Sequence, residues 1–528
     1  MSEISALASE HLDIWTTATE RRSGAGRGGG KRISFYGIQR LRALILDLAV
    51  RGQLVPQVAS DEPASELMKR VGQIKDAQEG RGNKAAGAIP PMDVPAGWIA
   101  VRLADLANPQ AGFAFKSVGF NELGVGLPLI RIRDVGQPFT GTFYSGDYRD
   151  DFVVHEGDYL ISMDGEFRVA TWDGPDALLN QRVSRLQFYG DEVVRPFVAL
   201  ALQTELTQLQ GVKAYTTVDH LSGKQIAGSV IRLPSIAEQR RIMAKVDELM
   251  ALCDALEGES ATALAAHQTL VETLLATLVK SADAANWTRL EAHFDALFTT
   301  PASVEALERT ILELAVRGRL VANSGNAWPT RKLEDLIGPM DSGWSPACME
   351  TPAPNEEAWG VLKTTAVQRL TYDEAQNKEL PADLTPRPAA ECKAGDILFT
   401  RAGPMNRVGI CCYVEATRPR LMISDKIIRF RPVSDEVNGA FLALALSVGP
   451  AAKQIEEAKS GMATSQVNVS QAKLRGVTIA LPSPEVQRAT VERVGTLMSL
   501  CDLLKAQIED AALTQMRLAD AITERAAA

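Results

Sequence analysis

Two stretches of the chain carry hydrophobic positions in a three-four rhythm, long enough to predict extended amphipathic helices. One runs through Val246, Leu249, Cys253, Leu256, Ser260, Ala263, His267, Leu270 and Leu274. The other runs through Val494, Leu497, Cys501, Leu504, Ile508, Ala511, Gln515, Leu518 and Ile522. This is the seam spacing of a coiled coil, and segments of roughly 35 to 40 residues predict helices about 55 to 60 Å long. A helix with one apolar stripe must bury it, and each segment has an equivalent partner in the other. Antiparallel pairing of the two would relate the halves of the chain by a pseudo-two-fold axis. Cys253 and Cys501 hold equivalent seam positions and read as packing residues, while His267 and Gln515 read as polar residues that fix register.

The equivalence extends beyond the helices. Leu41-Arg-Ala-Leu-Ile-Leu-Asp-Leu-Ala-Val-Arg-Gly-Gln-Leu-Val55 returns as Leu307-Glu-Arg-Thr-Ile-Leu-Glu-Leu-Ala-Val-Arg-Gly-Arg-Leu-Val321. Leu233-Pro-Ser-Ile-Ala-Glu-Gln-Arg240 returns as Leu481-Pro-Ser-Pro-Glu-Val-Gln-Arg488. Two such matches in the same order mean duplication. Between them lie regions that match only in phrases: Trp98 to Leu106 with Trp328 to Leu336, Gly157-Asp-Tyr-Leu with Gly395-Asp-Ile-Leu, and Thr216 to Ser222 with Thr464 to Ser470. Short runs such as Leu129 to Arg133, Val183 to Phe188 and Ile427 to Arg431 predict strands bounded by Gly and Pro.

The expected class is therefore α+β: two mixed α/β modules joined by long antiparallel coiled-coil helices. Expected boundaries are an N-terminal helical region at 1–57, a linker or arm at 58–97 and a first module at 98–232. A central helical region at 233–327, a second module at 328–480 and a C-terminal helix at 481–528 follow. The arm has no counterpart in the second half; a short helix is expected in Asp61 to Arg70, then a Gly/Lys/Ala-rich run.

Composition narrows the class. At 528 residues one core is not enough, and 46% hydrophobic with 23% charged residues is ordinary for a soluble protein. No apolar run is expected to approach the roughly 20 residues that span a bilayer, and Met1-Ser2-Glu3 does not begin a signal pattern, so a cytoplasmic location is expected. The net charge of -9 weighs against a protein that coats DNA non-specifically. In a multidomain adaptor, however, acidic helices can outweigh small basic reading surfaces. The six cysteines contain no C-x-x-C pair and the five histidines do not cluster with them, so no metal site is expected. There is no P-loop, no H-E-x-x-H, no G-x-S-x-G and no Asn/Asp-Pro-Pro-Tyr/Phe tetrapeptide; no catalytic residue is assigned, and a binding protein is favoured. A DNA-modifying enzyme with an unfamiliar active site and a protein-binding scaffold remain the alternatives.

Together the duplicated phrases resemble the specificity subunit of type I restriction-modification systems. Those that carry the resemblance are Ala49-Val-Arg-Gly-Gln-Leu-Val-Pro56, Asp61-Glu-Pro-Ala-Ser-Glu-Leu67, Pro95-Ala-Gly-Trp98, the Gly-Asp-x-Leu pair and the paired Leu-Pro-Ser…Gln-Arg starts. The resemblance covers nearly the whole chain. It implies two target recognition domains that bind a bipartite, asymmetric site on double-stranded DNA. It also implies docking of two modification (methyltransferase) subunits and then of restriction/translocase subunits, with S-adenosylmethionine, ATP and Mg²⁺ on those partners and no cofactor on this chain.

Base-reading residues vary with the target, so chemistry selects the candidates: side chains on turns able to reach base edges or phosphates. In the first module these are Arg131, Arg133, Arg168, Lys213, Tyr215, Thr216 and Lys224. In the second they are Arg401, Asn406, Arg407, Lys426, Lys459, Ser460, Thr464 and Gln466. The Arg168 and Arg407 pair, at matching turns beside Gly165 and Gly403, stands out. Val246, Leu249, Cys253, Leu256, Val494, Leu497, Cys501 and Leu504 are assigned to helix pairing.

Overall fold

The repeated Leu-Ala-Val-Arg-Gly phrase ends a helix in both halves: Tyr36–Arg51, the first short helix, and Pro301–Val316, the second. The glycine just beyond each adopts a left-handed conformation, with φ of 76° at Gly52 and 69° at Gly318. A side chain there is excluded twice over, because a Cβ would lie 2.8 Å from the ring of Trp98 or of Trp328. Each tryptophan then meets a phenylalanine edge-on, Phe197 at 6.1 Å and Phe441 at 5.9 Å between ring centroids. The structure, a computed structural model, describes residues 3–22, 32–79, 89, 91–212, 220–321 and 328–527.

The strand after each tryptophan pairs with the strand that leads into a long helix. Ile99–Arg102 runs antiparallel to Val230–Leu233, and Thr330–Lys332 to Thr478–Ala480. Each module is thus a chain segment whose two ends meet. The Gln of the Leu-Pro-Ser…Gln-Arg phrase closes this doorway. Gln239 is fully buried; it accepts the Val194 N–H at 2.8 Å and donates to the Pro234 carbonyl at 2.9 Å. Gln487 repeats this with the Asn438 N–H and the Pro482 carbonyl, both at 2.8 Å.

Inside the doorway the faintly matched regions have one topology. A four-stranded antiparallel sheet orders its strands as Val169–Thr171, Tyr159–Ser162, Val183–Phe188 and Ala107–Ala111 in the first module. The second places Cys411–Tyr413, Ile397–Thr400, Ile427–Phe430 and Asp341–Ser342 in the same order. A second sheet in each has a parallel pair, Leu127–Ile130 with Ala177–Leu179 and Gly360–Leu362 with Leu421–Met422. One difference is local: helix Arg195–Val212 is continuous, whereas its counterpart breaks into Gly439–Ser447 and Gly449–Ala458 at Gly449, with φ of 73°.

The chain divides into two compact units, Met1–Thr262 with Ala512–Ala528, and Ala263–Ala511. The long helices, Ile236–Lys280 and Pro484–Ala527, each start in one unit and finish in the other. In unit 1 the early part of the first long helix shares a core with the first short helix and with Met516, Ala519 and Ile522 from the end of the second. In unit 2 the late part of the first long helix, at Val271 and Leu275, shares a core with the second short helix and with Leu497, Cys501 and Ile508. Early residues of each long helix thus go with late residues of the other, an antiparallel sense. The expected helix pair is in each case a three-helix packing, with the short repeat helix as third member.

The seam is followed at first and then slips. Val246, Leu249 and Cys253 are buried, as are Val494 and Cys501, while Leu256, Leu497 and Leu504 are partly buried. Leu270 and Leu518, expected on the seam, are 53% and 46% exposed; the next residues, Val271 and Ala519, are 1% and 0% exposed. A straight α-helix falls behind a seven-residue repeat by about 20° per heptad. Three heptads beyond Leu249 or Leu497, the heptad position has rotated about 60° off the face. The residue after it lies only about 40° ahead, and it takes over the contact. His267 Nε2 lies 3.1 Å from the Ala296 carbonyl, on the short helix Phe294–Leu297 rather than on the other long helix.

Two further expectations change. The arm helix runs from Ala64 to Glu79, past Arg70, because Leu67 and Val71 face the unit 1 core. The first long helix has an 18-residue window of mean hydropathy 1.2, long and apolar enough by composition to cross a membrane. In unit 2 that stretch puts Val271 and Leu275 into a protein core.

Candidate nucleic-acid interface

In the second module the strand Ile397–Thr400 runs on into Ala402–Gly403, which leaves the main sheet and joins a separate three-stranded one. There Ala402 pairs with Asn468 and Gly403 with Val467, and Ser460 pairs with Asn468 from the other side. Arg401, at the crossover, donates its N–H to the Lys426 carbonyl and accepts the Val469 N–H, both at 2.9 Å. Met405 donates its N–H to the Thr464 carbonyl at 2.9 Å, and the Lys459 ammonium reaches the Met405 carbonyl at 3.1 Å.

These bonds bring together candidates dispersed over more than sixty positions of sequence. Asn406, Lys426, Ser460, Thr464 and Gln466 are exposed on this sheet and its turns, and Arg401 is half-buried. Lys459 is tied down, 2.6 Å from Glu456. Arg407 is committed to the protein: its guanidinium donates to Gln368 Oε1 and to the Thr364 and Val367 carbonyls at 2.5–3.2 Å.

The first module repeats the two Arg401 bonds at Met163. Met163 donates its N–H to the Arg182 carbonyl at 3.0 Å and accepts the Leu221 N–H at 2.7 Å. Asp164 and His220 form an isolated antiparallel bridge where the second module pairs Ala402 with Asn468. Arg182 therefore stands where Lys426 stands, and His220 where Asn468 stands. On this frame the Asp164 carboxylate lies 2.6 Å from His220 Nδ1 and 3.2 Å from Arg182 Nε. Arg182 and His220 are about half exposed, at 51% and 49%, while Asp164 is 19% exposed.

Other first-module candidates fall elsewhere. Lys224 is exposed in the first turn of the helix Gly223–Gly228, close in sequence to the Leu221 contact. Arg168 pairs with Glu166 on a turn held by Gln210, whose amide donates to the Gly165 carbonyl at 2.7 Å. Arg131 and Arg133 stand on the other sheet, where the strand stops at Ile130 and residues 132–134 form a 3-10 turn. The Arg133 guanidinium there donates to Thr140 and Thr142 at 2.8 and 3.1 Å. Lys213, Tyr215 and Thr216 lie outside the described residues.

Asp164, Arg182 and His220 were not among the sequence candidates. His220 was within reach, since Thr216 to Ser222 aligns with Thr464 to Ser470 and so places it opposite Asn468. Nothing in the sequence pairs Arg182 with Lys426; only the shared backbone bonds do.

The cysteine thiols are shifted upward by burial. Burial pushes Cys501 up to about 11 and Cys392 and Cys412 up to about 12, and it raises Cys253 and Cys411 as well. Among the described residues no three His, Cys, Asp or Glu side chains converge as metal ligands would.

The family model described as the type I restriction modification DNA specificity domain matches residues 95–265. The type I restriction enzyme EcoEI specificity subunit of Escherichia coli is 38% identical over 603 aligned residues, covering 99% of each chain. The chain belongs to the type I specificity-subunit family. The EcoAI specificity subunit of Escherichia coli is 28% identical, again over 99% of both. A crystal structure of the HsdS subunit from Thermoanaerobacter tengcongensis is 17% identical and superposes with a TM-score of 0.38, covering 83% of this chain and 98% of that one. Membership rests on the sequence relatives, not on that superposition. In this specificity subunit the long helices also carry matched exposed leucines: Leu252 and Leu500 are 43% and 55% exposed, at equivalent positions, as are Leu270 and Leu518.

Proposed function

We propose that this specificity subunit selects the target of a type I restriction-modification complex through two recognition domains, residues 98–232 and 328–480. Each reads one part of a bipartite, asymmetric site on double-stranded DNA. The observation that carries the reading is the repeated crossover frame. Backbone bonds at Met163 and Arg401 are the same, while the side chains they present differ. A kept frame with changed functional groups is what two readers of different half-sites require.

The long helices and their matched exposed leucines supply two equivalent surfaces for two modification subunits, after which restriction/translocase subunits join. Buried apolar area is the main source of association energy, and leucines left exposed at duplicated positions fit that role. S-adenosylmethionine, ATP and Mg²⁺ belong to those partners, and the assembly works in the cytoplasm, where its DNA is. The alternatives of an unfamiliar active site and of a protein-binding scaffold each make a distinct prediction.

Methylome sequencing of cells that express this chain with its modification subunit is the test. One bipartite motif with unlike halves is the expected result. Methylation or cleavage by the purified chain alone, with Mg²⁺ and S-adenosylmethionine, would overturn the reading, as would a complex that methylates without sequence preference.

A further inference from the structure

The two crossover frames differ in more than identity; they differ in hydrogen-bonding polarity. In the first module His220 Nδ1 faces both the Asp164 carboxylate at 2.6 Å and the Arg182 guanidinium at 3.1 Å. One nitrogen cannot donate to the first and accept from the second. The shorter contact is to a carboxylate, which accepts only, so Nδ1 carries the proton and, in the singly protonated ring, Nε2 is left as an acceptor. Beside it Arg182 presents donors alone.

In the second module Ala402 removes the carboxylate, and Asn468 replaces the imidazole. Its side-chain oxygen accepts from the Ser460 hydroxyl at 3.2 Å, which leaves its amide NH₂ as the outward group. Lys426, like Arg182, offers donors only. One frame therefore presents donor plus acceptor, and the other presents donor plus donor.

We infer that the positions of Asp164, Arg182 and His220, and those of Ala402, Lys426 and Asn468, are the specificity-determining sets of the two domains. His220 and Asn468 read opposite base classes at corresponding places. An outward acceptor selects a base with an exocyclic amino group in the major groove, adenine or cytosine. At that same exocyclic position an outward NH₂ selects a keto oxygen instead, guanine O6 or thymine O4. Asp164 is a positioning residue, which fixes the tautomer without touching DNA. This rests on the reading of the chain as a DNA-specificity subunit.

The test transplants the second set into the first domain, as Asp164→Ala, Arg182→Lys and His220→Asn, in the full chain co-expressed with the modification subunit. Methylome sequencing should show one half-site altered at one position, from adenine or cytosine toward guanine or thymine, with the other half-site and the spacer unchanged. Asp164→Asn alone should relax the choice at that same position, because either tautomer is then allowed. An unchanged motif from the triple variant, or equal changes in both half-sites, would overturn the proposal. If the variant complex assembles but methylates nothing, its binding to duplexes varied at that position gives the answer. Discrimination should differ from that of the unaltered complex by roughly 5- to 150-fold; identical discrimination overturns it. A parent complex with no bipartite motif would instead sink the functional reading itself.

Discussion

In unit 1 the short helix reaches the long helix through Arg42, whose guanidinium lies 2.7 Å from Asp254 and 2.9 Å from Glu257. In unit 2 the residue at the place of Arg42 is Glu308, and it lies 2.6 Å from Lys505, which stands at the place of Glu257. The contact is the same and the charges are reversed. A second short helix docked into unit 1 would set Glu308 against Asp254 and Glu257, three carboxylates together. Duplicated helices share their apolar faces and could exchange partners on packing alone. Reversed charge penalises the exchange without changing the shape, which is discrimination by repulsion rather than by added attraction.

Several substitutions would break or sharpen this comparison of the two units. The largest effect concerns what they share. Leu275→Ala, on the slipped stripe, should cost about 2–5 kcal/mol, while Leu270→Ala on the heptad position should stay within about 0.5 kcal/mol. Thermal unfolding of the two variants decides between a straight helix and a strict coiled coil, and equal losses would restore the heptad. Next come the doorway glutamines. Gln239→Ala strips two backbone groups of their partner and Gln487→Ala three, since Gln487 also donates to the Glu436 carbonyl at 3.0 Å, for about 2–4 kcal/mol each. Similar losses at the two sites are expected in the same melts; a loss confined to one would mean that only one doorway depends on its clamp.

The charge reversal makes a smaller and more specific prediction. Glu308→Lys should cost about 1–3 kcal/mol, since Glu308 and Lys505 are only 14% and 26% exposed, and adding Lys505→Glu should recover most of it. Arg42→Glu should cost less, about 0.5–1 kcal/mol, because Asp254 and Glu257 are 69% and 45% exposed and water screens them. A double-mutant cycle with no coupling at Glu308 would remove the pair as a device.

The smallest effect tests what unit 1 has alone. Asp61 anchors the arm by accepting from Arg241 at 2.6 Å and from Ser235 at 3.2 Å; the second half has Ala489 at the place of Arg241. Hydrogen bonding to Arg241 holds the Asp61 carboxyl below the usual carboxylate range. For a depressed acid the stabilisation is complete above the ordinary value near about 4 and is lost as pH falls through the folded one. Limited proteolysis within residues 56–79 should therefore be slow at neutral pH, faster below that range, and faster at neutral pH in Arg241→Ala. Protection that is indifferent to both changes would mean the anchor is idle.

Much of this was legible in the sequence because duplication supplied an internal control. Gln239 and Gln487 were visible as a repeated letter, and the packing roles of Cys253 and Cys501 followed from matched seam positions. The later seam was misplaced because a seven-residue template drifts on a straight helix, an error that accumulates with length and so appears at Leu270 and Leu518 but not at Leu249 or Leu497. The site was harder for a different reason. The second-module candidates lay on quotable turns, and the fold gathered them. Arg182 meets Asp164 and His220 only through strand pairing across a divergent interior, which no local pattern encodes. Arg133 and Arg407 look free in sequence, and the structure ties each to its own module.

The crossing of the long helices has a consequence in time. Unit 1 includes Ala512–Ala528, yet all of unit 2 is encoded before that segment. At about 5–20 residues per second, the first unit waits on the order of tens of seconds for its last helical turns to emerge from the ribosome. Throughout that delay the stripe around Ala519 and Thr523 has not arrived, and the face of Tyr36–Arg51 that receives Asp520 is uncovered. A premature stop near the end of the message would thus damage the half of the protein that was made first.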